Sequence, residues 1–256
     1  MHRQCNLRQP MKKERTEAII LHTMAVRERD KMVVFLTPDH GKRKGWAYGA
    51  RAIRSRFGAA LEPLAKVRIG YIEKEGDEVV RIESVDLIRS LFPAQQNLIS
   101  SVAATYIAET VDTFAPVDDP AEVIYRLLDR SSEALLDGLP AMPVVTYAEI
   151  WTLRLAGIFP SIRNCMECGL ALGRPLRFDE RLQGFVCGNC AGREAFVLDN
   201  EVADTLETLL RVPVAQFTAP TEVLLEIRSL SGFVRRAFLG YELKSFEVLA
   251  SVLGGR

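Results

Sequence analysis

Four cysteines within 26 positions constrain this chain more than any other feature. Cys165-Met-Glu-Cys168 and Cys187-Gly-Asn-Cys190 read C-x2-C-x18-C-x2-C. Each C-x-x-C folds a tight turn that brings two sulfurs to one side, and Gly169 and Gly188 relax the backbone beside them. Two such turns supply four thiolates at the tetrahedral Zn–S distance of about 2.3 Å. Outside an oxidising compartment, that clustering points to a metal and away from disulfides. Four thiolates close the coordination shell, whereas a catalytic zinc keeps a position open for water. The three histidines, His2, His22 and His40, all lie far from the cysteines in sequence. The expectation is one structural Zn2+ per chain, with an iron–sulfur or redox centre as the alternative. The metal would order a zinc ribbon over residues 163–193, with Leu176–Phe178 and Gly184–Val186 as its strands.

The chain has 256 residues, room for one large domain or two ordinary ones. Apolar residues make up 48% and charged residues 26%, the balance of a globular protein with a core. No apolar run approaches the ~20 residues that span a bilayer, and MHRQCNLRQP lacks the apolar stretch of a secretory signal. The expected location is the cytoplasm, with no membrane partner. Residues 1–10 are expected to be a tail or an alternative start ahead of Met11.

From Thr16 to Leu87 the pattern is that of strands: Glu17–Met24, Lys31–Thr37, Arg43–Arg51, Ala65–Ile72 and Glu78–Leu87. In the fourth, Val67, Ile69 and Tyr71 alternate with Lys66, Arg68 and Gly70, the period of a half-buried strand. Turns fall at Pro38-Asp39-His40-Gly41 and Glu75-Gly76-Asp77. Five short strands with no long helix between them favour a small closed barrel, of the oligonucleotide-binding (OB) kind or SH3-like.

After Leu91 the period becomes helical. Leu98, Val102 and Tyr106, with Ile99, Ala103, Ile107 and Val111, make one wide apolar face that ends before Pro116. Asp119-Pro120 with Glu122 opens a second helix that runs to about Gly138, and Thr146-x-x-Glu149 reads as a capping box for a third that stops near Gly157. Glu201–Arg211, Glu222–Leu239 and Glu242–Leu253 are further helices. The fold class is therefore α+β and multidomain. A five-stranded barrel domain covers 1–90, and a helical domain with the inserted four-cysteine ribbon covers 91–256, the boundary lying near Arg89–Pro93.

The net charge of zero hides an asymmetry. Residues 1–84 carry 18 Lys/Arg against 11 Asp/Glu, and the rest carries 15 against 22. Nine cations crowd residues 27–56: Arg27, Arg29, Lys31, Lys42, Arg43, Lys44, Arg51, Arg54 and Arg56. Such a group can track a phosphate backbone and release its counterions. Trp46, Tyr48 and Phe57 lie among them and could stack bases; alternatively, Trp46 and Tyr48 are barrel core and the cations a solvated face. No Gly-x-x-x-x-Gly-Lys-Ser/Thr element, no Ser/His/Asp spacing and no paired carboxylates single out a catalytic centre, so an enzyme is not expected.

The segment His40–Leu64 resembles the signature of RecO proteins: Gly41-Lys42, then Gly49-Ala50-Arg51, then Ser55-Arg56-Phe57-Gly58-Ala59-Ala60-Leu61-Glu62-Pro63. Trp151-Thr-Leu-Arg-Leu-Ala-Gly-Ile-Phe-Pro160 is similar to the helix and exit that precede the zinc ribbon in that family, and Arg235, Arg236, Lys244 and Ser245 sit in a similar C-terminal helical pair. Arg27-Glu28-Arg29-Asp30 departs from the family's usual element before the second strand. The resemblance implies an OB barrel, a helical domain with a zinc ribbon, and binding to single- and double-stranded DNA. It also implies strand annealing and, with RecR, help for the RecA recombinase in displacing single-stranded-DNA-binding protein on the bacterial nucleoid. Arg235, Arg236 and Lys244 would be additional DNA contacts. On physical grounds alone, an RNA-binding factor or a protein-interaction adaptor fits the same barrel and ribbon.

Overall fold

The computed structural model describes residues 11–26, 28–52, 55–74, 76–193 and 195–253. These residues form eight strands and seven α-helices in two compact units. One unit runs to Phe92 and takes in Ala115–Asp129; the other comprises Pro93–Phe114 and the chain from Arg130 onward. The return of Ala115–Asp129 to the first unit is a second crossing that a single cut near Arg89–Pro93 does not include.

Strands β1 (Met11–Ala25), β2 (Lys31–Thr37), β3 (Gly41–Ala47), β4 (Lys66–Lys74) and β5 (Val79–Arg89) close a barrel in the order β1-β2-β3-β5-β4. The β3–β5 pair is parallel and the other pairs are antiparallel. This is the five-stranded Greek-key arrangement of the OB fold. β1 is longer than its apolar stretch because Met11–Ile19 pairs with β4 and Ile19–Ala25 with β2, with a bulge between Ile20 and His22. The polar start of β1 is held by backbone pairing where side-chain alternation carries no signal.

The barrel core follows the two-residue period. Val67, Ile69 and Tyr71 of β4 face inward with Val33, Phe35, Val80 and Ile82. On β3 the inward positions are Gly41, Arg43, Gly45 and Ala47, and the outward ones are Lys42, Lys44 and Trp46. Gly45 is small by necessity, since a Cβ there would lie 2.7 Å from Ile82 Cγ1. The segment with the family signature plugs this core: Phe57, Ala60 and Leu61 are buried around a 3-10 turn over Gly58–Leu61.

Helices α1 (Phe92–Gln95), α2 (Leu98–Phe114), α3 (Glu122–Leu136) and α4 (Ala141–Leu155) precede β6 (Leu176–Asp179), β7 (Gly184–Val186) and β8 (Phe196–Leu198). Helices α5 (Asn200–Leu209), α6 (Thr221–Leu239) and α7 (Phe246–Leu253) follow. In the helical unit α2 packs on α4 and α7, and α6 packs on α4 and α5. Ala103, Tyr106, Ile107 and Val111 supply the buried face of α2, while Leu98 and Ile99 at its start are exposed.

The helix expected to open at Thr146 opens at Ala141, with Pro140 before it and Pro143 in the first turn, where proline costs no hydrogen bond. Thr146 Oγ1 donates to the Met142 carbonyl 2.8 Å away instead of capping. Glu149 is buried, and its carboxylate serves a different purpose described below. Glu242 likewise lies ahead of α7, which begins at Phe246.

Within the barrel unit, the Pro116–Ala121 segment clasps the β2–β3 turn. Lys42 N donates to Pro116 O (2.8 Å), Ala121 N to Pro38 O (2.8 Å), and Asp118 N to Lys42 O (3.4 Å). Gly41 adopts φ +60°, and a Cβ there would overlap the carbonyl oxygens of Asp119 and Pro116. None of the described helices is long and apolar enough to cross a membrane.

Candidate metal centre and nucleic-acid interface

The metal candidate is the more sharply defined of the two sites. Cys165, Cys168, Cys187 and Cys190 bring their sulfurs within 4.8 Å of one another. The Cys168–Cys187 sulfur separation is 3.8 Å, the edge of a tetrahedron whose centre lies about 2.3 Å from each sulfur. Among the described residues this is the one cluster of His, Cys, Asp or Glu that could hold a metal ion. The local backbone builds it. Gly169 takes φ +74° to close the first turn, and its N–H donates to Cys165 O at 2.9 Å. Cys190 N donates to Cys187 O at 3.1 Å to close the second.

The thiols are not equivalent. Backbone N–H groups of Cys168 and Cys187 hold the Cys165 thiol down to about 6; the N–H of Cys187 lies 3.3 Å from its sulfur. Hydrogen bonds from the Cys168 and Cys187 side chains push Cys190 up to about 12. Four thiolates this close repel one another, so full deprotonation needs a cation at their centre. The donor set therefore fits a closed tetrahedral metal site.

Strands β6 and β7 form the expected hairpin, paired Arg177–Val186, Phe178–Phe185 and Asp179–Gly184. A third strand that the sequence reading misses, β8, pairs with the other edge of β6. Phe178 anchors the sheet, with its ring 5.8 Å from Phe233 of α6 and 5.4 Å from Phe185.

The nine cations of residues 27–56 do not share one fate. Arg27 and Arg54 lie outside the described residues. Lys42 and Lys44 share the outer face of β3, Lys44 exposed and Lys42 partly so. Arg29 and Arg51 are exposed at the rim where β3 ends, and Lys31 is half-buried beside them at the start of β2. The rim is tied together: Arg51 N donates to Arg29 O (3.0 Å), and Gly49 N donates to Asp30 Oδ1 (2.9 Å). Arg56 is exposed and stacks 4.8 Å over the Phe57 ring.

Arg43 is a correction. The same alternation that makes Gly45 and Ala47 inward turns Arg43 inward too. Its guanidinium meets Glu73 (2.6 Å) and Asp118 (2.9 Å) and lies 5.8 Å from the Tyr71 ring. Burial opposes its charge, but the two carboxylates outweigh that and raise its pKa. Burial also pushes the Tyr71 hydroxyl up to about 12.

Arg235 is a second correction: it is fully buried in the helical unit and cannot reach a surface ligand. Its guanidinium binds Tyr106 Oη, Glu149 and Glu242, and the Phe246 ring lies 4.9 Å away. Arg228 approaches the same Glu149 carboxylate at 3.7 Å. Arg236 is exposed but paired to Glu242 at 3.2 Å, and Lys244 is exposed, its backbone N–H held by Glu109 at 3.0 Å.

The aromatics are sorted as well. Phe57 belongs to the core, whereas Trp46 is half-buried and Tyr48 is 44% exposed, so neither is the barrel core that was one of the two expectations. Their rings stack, with centroids 6.3 Å apart and planes 16° from parallel. Arg81 of β5, in register with Trp46, was not singled out by its sequence; it lies 6.0 Å from the Tyr48 ring. The alternation Val80, Arg81, Ile82 marks it as outward-facing and was the available signal.

Comparison with known proteins agrees with this layout. The family model described as "Recombination protein O N terminal" matches residues 11–91, and "Recombination protein O C terminal" matches residues 95–246. A "DNA repair protein RecO" of Koribacter versatilis is 35% identical over 207 residues, which is 80% of this chain and 83% of the relative. One of Myxococcus xanthus is 30% identical over 239 residues, covering 92% and 96%. One of Desulforudis audaxviator is 32% identical over 207 residues, covering 80% and 82%.

Proposed function

The chain belongs to the RecO family, and from that premise we propose that it is a DNA-binding mediator of recombinational repair in the RecFOR pathway, working by charge neutralisation and not by bond chemistry. The observation that carries the reading is the sorting of cations in the barrel unit. Lys42 and Lys44 lie on one outer face, and Arg29, Lys31 and Arg51 gather at the adjoining rim. A cationic surface of this kind grips phosphates without reading sequence.

Annealing requires two strands brought close with their charge screened and their base edges free. Phosphate contact by Lys and Arg meets both conditions, so complementary strands held on this surface can pair. In this reading the protein anneals single strands and also binds duplex. With RecR as partner, it helps RecA replace single-stranded-DNA-binding protein on the bacterial nucleoid. Arg236 and Lys244 are candidate further contacts from the helical unit; Arg43 and Arg235 are withdrawn from that role by their burial.

The metal in this reading is zinc, held by Cys165, Cys168, Cys187 and Cys190. When bound, it cross-links the two turns and neutralises their thiolates, which is a structural contribution.

The test is the salt dependence of binding. The logarithm of affinity is expected to fall against the logarithm of salt by about 0.7 per neutralised phosphate on single strands and about 0.9 on duplex. A double variant, Lys44→Ala with Arg51→Ala, should weaken all sequences alike and lower that slope by roughly one unit or more. A flat salt response would overturn the proposal.

A further inference from the structure

The outer face of β3 ends in a feature that phosphate contact does not explain. Read by alternate residues, it runs Lys42, Lys44, Trp46 and then, just past the strand, Tyr48. Two cations are followed by two near-parallel aromatic rings. The rings open onto a cleft of about 840 Å³ between β3 and the β4–β5 turn, which Lys74, Arg81, Asp77 and Glu78 also line. Asp77 and Glu78 offset the charges of Lys74 and Arg81 in the cleft, so it offers a phosphate no net attraction. An uncharged base needs none. It finds ring faces on which to stack, with the Arg81 guanidinium positioned at the Tyr48 ring.

We propose that this cleft is a stacking subsite for the unpaired bases of single-stranded DNA. The strand's phosphates follow Lys42 and Lys44, and its bases enter against Trp46 and Tyr48. The inference rests on the DNA-binding reading above and adds to it a means of telling strands from duplex. In a duplex each base face is covered by its neighbours, so duplex engages the cations and not the cleft. Pairing therefore removes the stacking contact, and the annealed product is held less tightly than the strands that formed it.

Trp46 reports on the cleft directly, because the chain has two tryptophans and the other, Trp151, belongs to the helical unit. In a Trp151→Phe background, a short oligothymidylate and a hairpin duplex are titrated while Trp46 fluorescence and the anisotropy of labelled DNA are both followed. The expected result is strong quenching by the single strand and little by the duplex, although anisotropy registers both. Trp46→Ala is expected to lower the ratio of single-strand to duplex affinity about tenfold, and Trp46→Phe, which keeps a ring, to restore most of it. DNA binding by anisotropy with no quenching, or with an unchanged ratio in Trp46→Ala, overturns the stacking subsite and leaves the DNA-binding reading intact. No binding by anisotropy to either DNA overturns both. A melt of each variant identifies any that fails to fold, and the quenching contrast in the Trp151→Phe protein stands without them.

Discussion

In the barrel unit, Arg43 turns inward yet stays near water: its partners Glu73 and Asp118 are 30% and 50% exposed. In the helical unit, Arg235 is wholly buried and its partner Glu149 is 1% exposed. Both arginines look alike in the sequence, as cations beside other cations. Their surroundings differ in dielectric response, and that sets how much each ion pair matters. The barrel rests on an alternating apolar core to which Arg43 is an addition. The helical unit has a charge cluster of Arg235, Arg228, Glu149 and Tyr106 at its centre and a ribbon whose three strands are three or four residues long. One unit is organised by packing, the other also by charge and sulfur.

Metal removal should separate the two most sharply. Structural zinc binding in small peptides carries about 10–16 kcal/mol of apparent folding energy. Chelation, or Cys168→Ser, is expected to abolish hydrogen-exchange protection in β6–β8 while the amides of β4 and β5 keep theirs. Equal loss in both would show that the barrel depends on the ribbon.

Next in size is Glu149→Ala. It leaves Arg235 and Arg228 buried without their shared carboxylate, at an expected cost of about 3–5 kcal/mol in denaturant unfolding. Arg43→Ala, which breaks a wetter pair, should cost about 1 kcal/mol. Similar losses from the two would refute the idea that depth decides the outcome.

The smallest effect concerns Tyr71. Its folded pKa of about 12 lies above the ordinary value of 10.0. The unfolded chain therefore ionises first, and the stability owed to the neutral hydroxyl is fully present below pH 10.0 and lost as pH rises towards about 12. Tyr71→Phe should leave neutral-pH stability almost unchanged and flatten part of that alkaline loss. An unaltered alkaline profile would show that Tyr71 does not titrate in this way.

The parts of the molecule that could be read in advance are those with a local code. Cysteine spacing announces the two turns that gather the sulfurs, and the alternation through Val67, Ile69 and Tyr71 announces β4. The inward turn of Arg43 had no such code, since its alternation partners Gly45 and Ala47 are small and the large apolar side chains, Trp46 and Tyr48, fall on the opposite phase. The burial of Arg235 has no local code, because Tyr106 and Glu149 lie far away along the chain. Thr146 and Glu149 imitate a capping box, while the helix start is set by Pro140 upstream. The start of β1 and the whole of β8 are held by backbone pairing to distant strands, which side-chain periodicity does not record.

The clasp of Pro116–Ala121 over the β2–β3 turn bears on how the molecule is made. The fifth strand of the barrel ends at Arg89, but Arg43 still lacks Asp118, and Lys66 lacks Asp129, which it meets at 2.8 Å. A ribosome releases the chain from its N-terminus, so the barrel unit emerges unfinished and stays so until Asp129 is out. By then α2, which belongs to the other unit, has already been synthesised. The two units are thus interleaved in order of birth, and a fragment cut after Phe92 would lack Asp118 and Asp129, the partners of Arg43 and Lys66.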